Sequence, residues 1–458
     1  MGEKIPSIDE CLAAATDTKC LVTGDGIIAE IPRIVERYFA GGPVFVVADN
    51  NTFKAAGRAA LDALTASVPV AGTFIFQEEE IHAEYRYVEK LEEEFRKAEK
   101  SAGTKIVPVA AGSGTINDLV KRSASGLALP YLCVPTAASV DGYTAYGAAL
   151  VDGGFKQTFP CPAPLAVAAD SSVLAAAPPY LSSSGFGDLA GKIIAGSDWI
   201  IADRAFSLDG KGELAPGTRK IDDKAWAMVQ LPLRDNLRRA TAAARGDKDA
   251  VKTLFEGLGV TGFALQYMQD SRPVSGCEHM WSHVWEMENL RTARPVTHGH
   301  KVAMGLLAAA AFTECLFREK PALSTRRQSW PEREESVRAA FAGLEAAVPS
   351  VLKTAREKFI EDGTEKARLL EEGLLDIWDD IKEAVFRQLP PYTELYGLLE
   401  NAGCPVKPAE IGLSKNRIIA AARSAQMIRV RFTVLDLAFE TGVFEDVLKR
   451  MEESDEYL

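Results

Sequence analysis

Short apolar runs alternate with helical segments over the first third of the chain, and this alternation limits the possible folds strongly. Four runs, at residues 43–48, 72–76, 105–111 and 129–134, have the length of buried strands. The segments between them, such as 52–64 and 81–100, show helical spacing of apolar residues. Strands separated by helices predict a mostly parallel sheet with helices on both faces. Residues 148–159, which contain Asp-Gly-Gly, predict a β-hairpin at the end of this domain.

From about residue 165 onward the sequence pattern is helical almost throughout. We therefore predict two domains, an α/β domain at residues 1–165 and an all-helical domain at residues 166–458. The helical part includes a long charged stretch, residues 321–391, in which no chemistry is recognisable.

Charge and cysteine content narrow the class of protein. A net charge of −12 without a basic arm argues against a nucleic-acid partner. The seven cysteines are scattered, which predicts reduced thiols in a cytoplasmic enzyme. The first residues show no signal-peptide pattern, and no apolar run is long enough to predict a membrane span.

Histidines cluster in one short window. The chain has five, and four of them lie within residues 275–302. His279 and His283 are four residues apart in a helical run, which places both rings on one helix face. His298 follows a turn at Pro295 and lies just ahead of another helical run, residues 301–317. Neutral imidazoles are the usual ligands of zinc, iron or nickel, so the cluster predicts a divalent metal site. The alternative is a helix with incidental histidines.

A carboxylate would complete such a site, and two aspartates are candidates. Asp170 precedes Ser-Ser-Val-Leu, where capping of a helix explains it. Asp188 lies between glycines, which permit close approach of backbone and ligand, and Lys192 follows one helical turn later. We favour Asp188 as the ligand.

A glycine-rich turn indicates phosphate binding. Residues 112–118, Gly-Ser-Gly-Thr-Ile-Asn-Asp, follow a predicted strand and open a helix whose N-terminus can hold a pyrophosphate. The alternative is a plain strand–helix turn with a capping box between Thr115 and Asp118. Asp49 ends an earlier strand, where an acid can accept from a ribose 2′-hydroxyl and repel a 2′-phosphate. A helix N-cap is the alternative for Asp49.

A third polar cluster follows the fourth predicted strand. Thr136 and Ser139 lie just past the strand end, where ligands of open α/β sheets bind. Asp141 lies beside them and could hold a substrate hydroxyl, although a turn residue before Gly142 is the alternative.

Five segments in order resemble the sn-glycerol-1-phosphate dehydrogenases of the iron-containing alcohol dehydrogenase and dehydroquinate synthase superfamily. They are GSGTINDL, VPTAASVDGYT, SSGFGDLAGKIIAGSDW, GCEHMWSH and HGHKV. The similarity extends from about residue 20 to about residue 450. It implies a dehydroquinate synthase-like fold, with a Rossmann-like α/β domain, an all-α C-terminal domain and an active site in the interdomain cleft.

The resemblance also implies roles for individual residues. The metal ligands would be Asp188, His279 and His298. Substrate would contact Asp141, Asp188 and His283, and the candidate catalytic residues are His283, Asp141 and Lys192, the last as a phosphate contact. The dinucleotide would lie along Asp49, Gly112, Gly114, Thr115, Ile116, Asn117, Asp118, Thr136, Ala137, Ala138, Ser139 and Ala145. Two positions depart from the family: His300 replaces a common glutamate, and Cys277 a common serine.

The implied reaction is the reversible reduction of dihydroxyacetone phosphate to sn-glycerol 1-phosphate, a step of phospholipid metabolism. NAD(H) is expected to be preferred over NADP(H), with one divalent metal, first zinc and then nickel or iron. The metal would polarise the ketone, and His283 or a water would relay a proton. We also expect a homo-oligomer, a dimer or larger.

Other functions are possible on the same residues. The dehydrogenase could act on another polyol or sugar phosphate, or the chain could be a dehydroquinate or cyclitol synthase-like cyclase. Those cyclases usually carry Gly-Gly-Lys after the strand, and this chain has VDGYTAYG. A metalloprotease reading of His279 and His283 lacks the glutamate after the first histidine, since Met280 stands there. A metal-binding protein without catalytic activity would bind no NADH.

Overall fold

The computed structural model describes residues 4–78, 80–152, 155–288, 290, 292, 296–322 and 327–458. By its contacts the chain forms two compact units. The first is Met1–Leu189 with Ala227–Ser271, and the second is Ala190–Trp226 with Arg272–Leu458. The division into 1–165 and 166–458 stays a prediction.

The first unit contains a six-stranded sheet in the order β1-β8-β5-β4-β2-β3, in which every pair is parallel. Strands β6 and β7 form a separate antiparallel hairpin. The predicted parallel sheet and hairpin are therefore confirmed, while the turn residues Gly153 and Gly154 lie outside the described residues. The strands are β1 (Cys20–Gly24), β2 (Val44–Asp49), β3 (Val70–Phe76), β4 (Val107–Gly112), β5 (Leu132–Pro135), β6 (Ala148–Asp152), β7 (Phe155–Phe159) and β8 (Ala166–Asp170).

Two strands of the sheet are absent from the sequence prediction. Strand β1 was not predicted, and the expectation of helix from residue 165 is wrong for β8. Every residue of β8 is buried, so its sequence shows no alternation between polar and apolar positions. Its alanines also lack the β-branched character that distinguishes a strand from a helix.

Helices make up most of the remaining chain. They are α1 (Ile8–Ala14), α2 (Ile31–Tyr38), α3 (Asn50–Thr52), α4 (Arg58–Thr65), α5 (Tyr85–Ala102), α6 (Gly114–Gly126), α7 (Ser171–Ala175), α8 (Pro179–Phe206), α9 (Asp223–Ala240), α10 (Lys248–Met268), α11 (Cys277–Met287), α12 (His298–Leu316), α13 (Trp330–Ala340), α14 (Val348–Lys358), α15 (Glu365–Asp376), α16 (Trp378–Gln388), α17 (Tyr392–Asn401), α18 (Lys415–Met427), α19 (Val434–Glu440) and α20 (Phe444–Glu453).

The order in which the chain adds strands to the sheet reverses between the neighbouring strands β2 and β4. From β2 the chain continues to β3 on one side, and from β4 it continues to β5 on the other. Ligands of open α/β sheets bind outside the carboxyl ends of the strands at such a point. Asp49 ends β2 and Gly112 ends β4, so the order of the strands places both at this position.

The described part of the second unit is helical. Helix α12 is buried along nearly its whole length, which explains why its sequence is apolar on all sides. No helix in the described ranges is long and apolar enough to cross a membrane.

Candidate active site

Three of the four clustered histidines converge in the second unit. His279 and His283 lie one turn apart on α11, and His298 is the first residue of α12. The ring centroids of His279 and His298 are 5.4 Å apart, and those of His283 lie 6.1 Å and 6.2 Å from them. The helical spacing and the following helix start thus bring the rings together as predicted.

Two glutamates fix the orientation of the His279 and His298 rings. Nδ1 of His279 lies 2.6 Å from Oε1 of the fully buried Glu278, and Nδ1 of His298 lies 2.8 Å from Oε1 of Glu286. Because a carboxylate can only accept, each imidazole donates from Nδ1, which directs the lone pair to Nε2. Carboxylates that bind histidines in this way are typical of metal-binding imidazoles.

The sequence analysis missed both glutamates. Each lies on α11 with His279, and Glu278 is its direct neighbour. A search for carboxylates near the clustered histidines would have made them candidates, although their pairing depends on how α11 and α12 pack.

Of the two candidate aspartates, only Asp188 lies with the histidines. The Asp188 carboxylate and the rings of His279 and His298 each offer one ligand atom, and these atoms all lie within 4.8 Å of one another. Asp188 is fully buried and also accepts a hydrogen bond from the Asp141 N–H at 2.9 Å. Asp170 instead caps α7 by accepting from the Ser172 N–H, so its predicted structural role is confirmed.

His283 is neutral in this environment. Its Nδ1 lies 3.3 Å from the Arg429 guanidinium, which can only donate, so the ring proton is on Nε2. Burial and then the charge of Arg429 hold the pKa of His283 well below its usual range. Arg429 was not identified from the sequence, because it lies far along the chain from the histidines.

The other predicted residues of this region are buried or half-buried. Lys192 is fully buried one turn after Asp188 on α8. Burial raises the pKa of the Cys277 thiol, and the Cys277 N–H donates to Asp198 at 2.7 Å. Burial lowers the pKa of His300 to about 4, so this ring is also neutral near pH 7.

The glycine-rich turn lacks the capping box of its alternative role, and its first glycine is needed for packing; its contact with a dinucleotide stays a prediction. Ser113 occupies the N-cap of α6 without a side-chain capping bond, and the helix starts at Gly114, so the alternative of a capping box between Thr115 and Asp118 is wrong. A Cβ at Gly112 would lie 2.5 Å from the Cβ of Ile116. Glycine is therefore needed for close packing of the strand end on the helix.

Asp49 forms the helix cap that was its alternative role. Its Oδ1 accepts from the N–H groups of Asn51 and Thr52, each at 2.8 Å. Both of these bonds end on Oδ1, so the cap does not use Oδ2. The role of Asp49 toward a ribose stays a prediction.

Two polar residues of α6 make contacts within the protein. Asn117 donates to the Gly142 carbonyl and accepts from the Tyr131 hydroxyl. Asp118 accepts from the Ala149 N–H at 3.4 Å. These bonds connect α6 with its neighbours, and contacts of either side chain with a dinucleotide stay a prediction.

The segment after β5 is buried. Thr136, Ala137, Ala138, Ser139 and Ala145 are all nearly inaccessible. The Thr136 N–H donates to the Gly112 carbonyl at 3.1 Å, which joins this segment to the glycine-rich turn. The Ser139 hydroxyl bonds to the Tyr143 hydroxyl at 3.1 Å.

A fully buried lysine, missed by the sequence analysis, holds the next loop in place. The Lys121 amine donates to the carbonyls of Gly142, Ala145 and Gly147 at 2.8 to 2.9 Å. This loop begins at Asp141 and contains the predicted cofactor contact Ala145. Lys121 lies on α6 three residues after Asp118, so the helix that opens with the glycine-rich turn also positions this loop.

Comparison with known proteins places this chain in a family. Residues 22–178 match the iron-containing alcohol dehydrogenases. The chain is similar to the glycerol-1-phosphate dehydrogenase [NAD(P)+] of Bacillus velezensis, with 33% identity over 92% of this chain and 91% of that protein. It is 28% identical to that of Geobacillus thermodenitrificans over 87% of each. It shares the fold of a glycerol dehydrogenase structure from Schizosaccharomyces pombe, with a TM-score of 0.59, 15% identity, and coverage of 96% and 92%.

The chain is therefore a member of the class of iron-containing alcohol dehydrogenases. The chain belongs, within this class, to the glycerol-1-phosphate dehydrogenase family, which confirms the resemblance found in the sequence.

Proposed function

We propose that this protein interconverts dihydroxyacetone phosphate and sn-glycerol 1-phosphate with NAD(H) at a single divalent metal. The observation that carries the proposal is the group formed by Asp188, His279 and His298, whose three ligand atoms lie within 4.8 Å of one another. Relatives that align over nearly the whole chain are glycerol-1-phosphate dehydrogenases, which supports the substrate.

The donor set fits a transition metal. Two imidazoles held through Nδ1 and one buried carboxylate suit zinc first, and nickel or iron next. When bound, the metal acts as a Lewis acid toward the oxygen of the ketone or alcohol. Asp188 also accepts from the Asp141 N–H, so the same carboxylate that would bind metal orients the start of the substrate loop.

The remaining residues bind and orient the substrate. His283 carries its proton on Nε2, so it can donate a hydrogen bond to a substrate oxygen, and the proton for the product hydroxyl would come from a water. The Asp141 carboxylate would accept from a second substrate hydroxyl. Lys192 is assigned to the phosphate, because its ammonium follows Asp188 by one turn on α8.

We propose that NAD(H) is preferred over NADP(H). Asp49 lies at the end of β2, and the glycine-rich turn begins at the end of the neighbouring strand β4, where the strand order reverses. The Oδ2 atom, which the helix cap does not use, would accept from the ribose 2′-hydroxyl. A 2′-phosphate there would meet a carboxylate charge.

We also propose that the protein is a cytoplasmic homo-oligomer. All seven cysteines are buried thiols, which supports a reducing compartment. Light scattering coupled to size-exclusion chromatography measures the mass, and a monomer at micromolar concentration would contradict the oligomer.

Steady-state kinetics with a panel of phosphorylated and free ketones tests the reaction. We expect NADH-dependent reduction of dihydroxyacetone phosphate, with much lower kcat/KM for dihydroxyacetone, because the phosphate supplies binding energy that positions the reacting carbon. Chelation should abolish this activity, and Zn²⁺, Ni²⁺ or Fe²⁺ should restore it.

Three results would contradict parts of the proposal. Full activity in metal-free protein would remove the metal site. Oxidation of a different polyol, with dihydroxyacetone phosphate inert, would keep the dehydrogenase but change its substrate. Cyclisation of a phosphorylated sugar acid with loss of phosphate would identify the cyclase instead.

A further inference from the structure

The second unit contains a cavity of about 560 Å³ among helices α13, α18, α19 and α20. The charged stretch in which the sequence shows no chemistry supplies part of its wall. None of the lining residues belongs to the histidine cluster or to the glutamates bonded to it. Its volume is that of a small-molecule site.

A buried cation without a bonded carboxylate faces this cavity. Arg333 is only 4% exposed, and its guanidinium lies 4.5 Å from the centroid of the Phe439 ring and donates to the Gln426 side-chain oxygen. Burial lowers the pKa of Arg333 to about 10, so it stays charged near pH 7. Within the described ranges, no ion pair is formed by this guanidinium.

The carboxylates nearby are already paired. Glu440 forms an ion pair with Arg327, and Asp436 forms one with the buried Lys358 at 2.5 Å. Both carboxylates attract the Arg333 guanidinium, but each forms its ion pair with another cation. A buried cation without an ion pair is costly, so an anion that reaches Arg333 would be stabilised.

A second polar group in the wall has no partner among the residues that the structure describes. The Oε1 atom of Gln328 is buried and accepts no hydrogen bond, while its Nε2 donates to the Ser336 hydroxyl at 3.2 Å. A water or a ligand in the cavity can donate to this oxygen. The rest of the wall includes apolar side chains, among them Phe359, Ile360 and Phe444.

We propose that this cavity binds a small organic anion with a planar or apolar body. Arg333 binds the anionic group, and the aromatic wall binds the body. Phosphate and carboxylate both fit a guanidinium fork, so the two anions are separated by experiment.

Calorimetric titration of NAD⁺-saturated protein tests this site with four probes: 1-naphthyl phosphate, 1-naphthoate, 1-naphthol and inorganic phosphate. We expect one site per chain for at least one naphthyl anion, with affinity at least tenfold above that of naphthol or inorganic phosphate. The stronger of the two anions identifies the preferred group. Absence of binding at millimolar probe, or equal binding of naphthol, would overturn the proposal.

Variants assign that binding to the cavity. Arg333→Met removes the charge at similar length and should weaken binding of the naphthyl anion at least tenfold. Arg338→Met, which removes an exposed arginine from the same helix, should not change it. Ala420→Phe fills the cavity without removing a charge, so it should also block binding. This variant tests the site independently if Arg333→Met fails to fold. Wild-type affinity in Ala420→Phe would place the anion elsewhere and refute the site.

Discussion

Replacing Glu278 by glutamine tests how the buried carboxylates act on the histidines. The change keeps the shape of the side chain and can keep a hydrogen bond to Nδ1 of His279, but it removes the negative charge. The bonded atoms are 2.6 Å apart, and Glu278 is fully buried, so water cannot replace the lost interaction. The imidazole should become less basic and bind a metal less tightly.

The structure sets the size of the effect. Loss of such a partner typically costs about 10- to 100-fold in metal affinity or activity, or about 1.4–2.7 kcal/mol. For Glu278 we expect the upper half of this range, because the bond is short and fully enclosed. For Glu286→Gln we expect about tenfold, because its partner His298 is 25% exposed and solvent weakens the interaction.

Metal affinity is measured by competition with a zinc chelator of known affinity, with bound metal quantified by mass spectrometry. Glu288→Gln is the matched control, because Glu288 is the C-cap of the same helix and forms an ion pair with Arg417. This variant should bind metal as the wild type does. Wild-type affinity in both Glu278→Gln and Glu286→Gln, with loss of metal in His279→Ala, would refute the role of the carboxylates.

Three further changes test the neighbouring parts of the site. Asp49→Gly should reduce the preference for NADH over NADPH by roughly 1–3 kcal/mol in the ratio of kcat/KM values, and a wild type without preference would leave Asp49 as a cap alone. Lys121→Met should raise KM for NADH and substrate and lower the free energy of unfolding, measured by urea denaturation, by about 2–4 kcal/mol, because the buried carbonyls of Ala145 and Gly147 lose this donor while Gly142 keeps Asn117; unchanged values of both would contradict its positioning role. Burial raises the pKa of Asp198 to about 7, so the native state holds a proton that the unfolded chain has lost. The stabilisation of the native state by protonated Asp198 is complete below about pH 4 and is lost as the pH rises through 7. The free energy of unfolding should fall by roughly 2–3 kcal/mol between pH 5 and 8, and Asp198→Asn should remove this pH dependence from urea unfolding data.

The spacing of apolar residues predicted those strands whose sequence shows a recognisable apolar run. Strands β2 and β4 are apolar and bounded by turns, and the predicted runs at 43–48 and 105–111 agree with them within about two residues. Strand β8 was missed because small residues buried on both faces carry no period. Length and spacing thus indicated the parallel sheet but not all of its strands.

The histidine cluster was predictable because its information is local. A spacing of four residues on one helix and a histidine just ahead of the next helical run need no knowledge of the tertiary fold, although α12 starts at His298 and not at the predicted residue 301. The hydrogen-bond partners of these histidines could not be predicted in this way. Glu286 bonds to a histidine 12 residues away, and Arg429 bonds to one 146 residues away, so only the packing of the helices pairs them.

The packing around the histidines depends on glycines whose role no local pattern indicates. A Cβ at Gly305 would lie 2.3 Å from the Glu278 carbonyl oxygen, so glycine allows α12 to pack closely on α11. A Cβ at Gly276 would lie 2.6 Å from Asp198 Oδ2, the atom that accepts from the Cys277 N–H and holds the start of α11. Asp198 also accepts from the Val434 N–H at 2.8 Å, so one buried carboxylate binds the first turns of two helices. The position of His279 therefore depends on close approach at these glycines, and a larger side chain there would move the helix rather than the ligand alone.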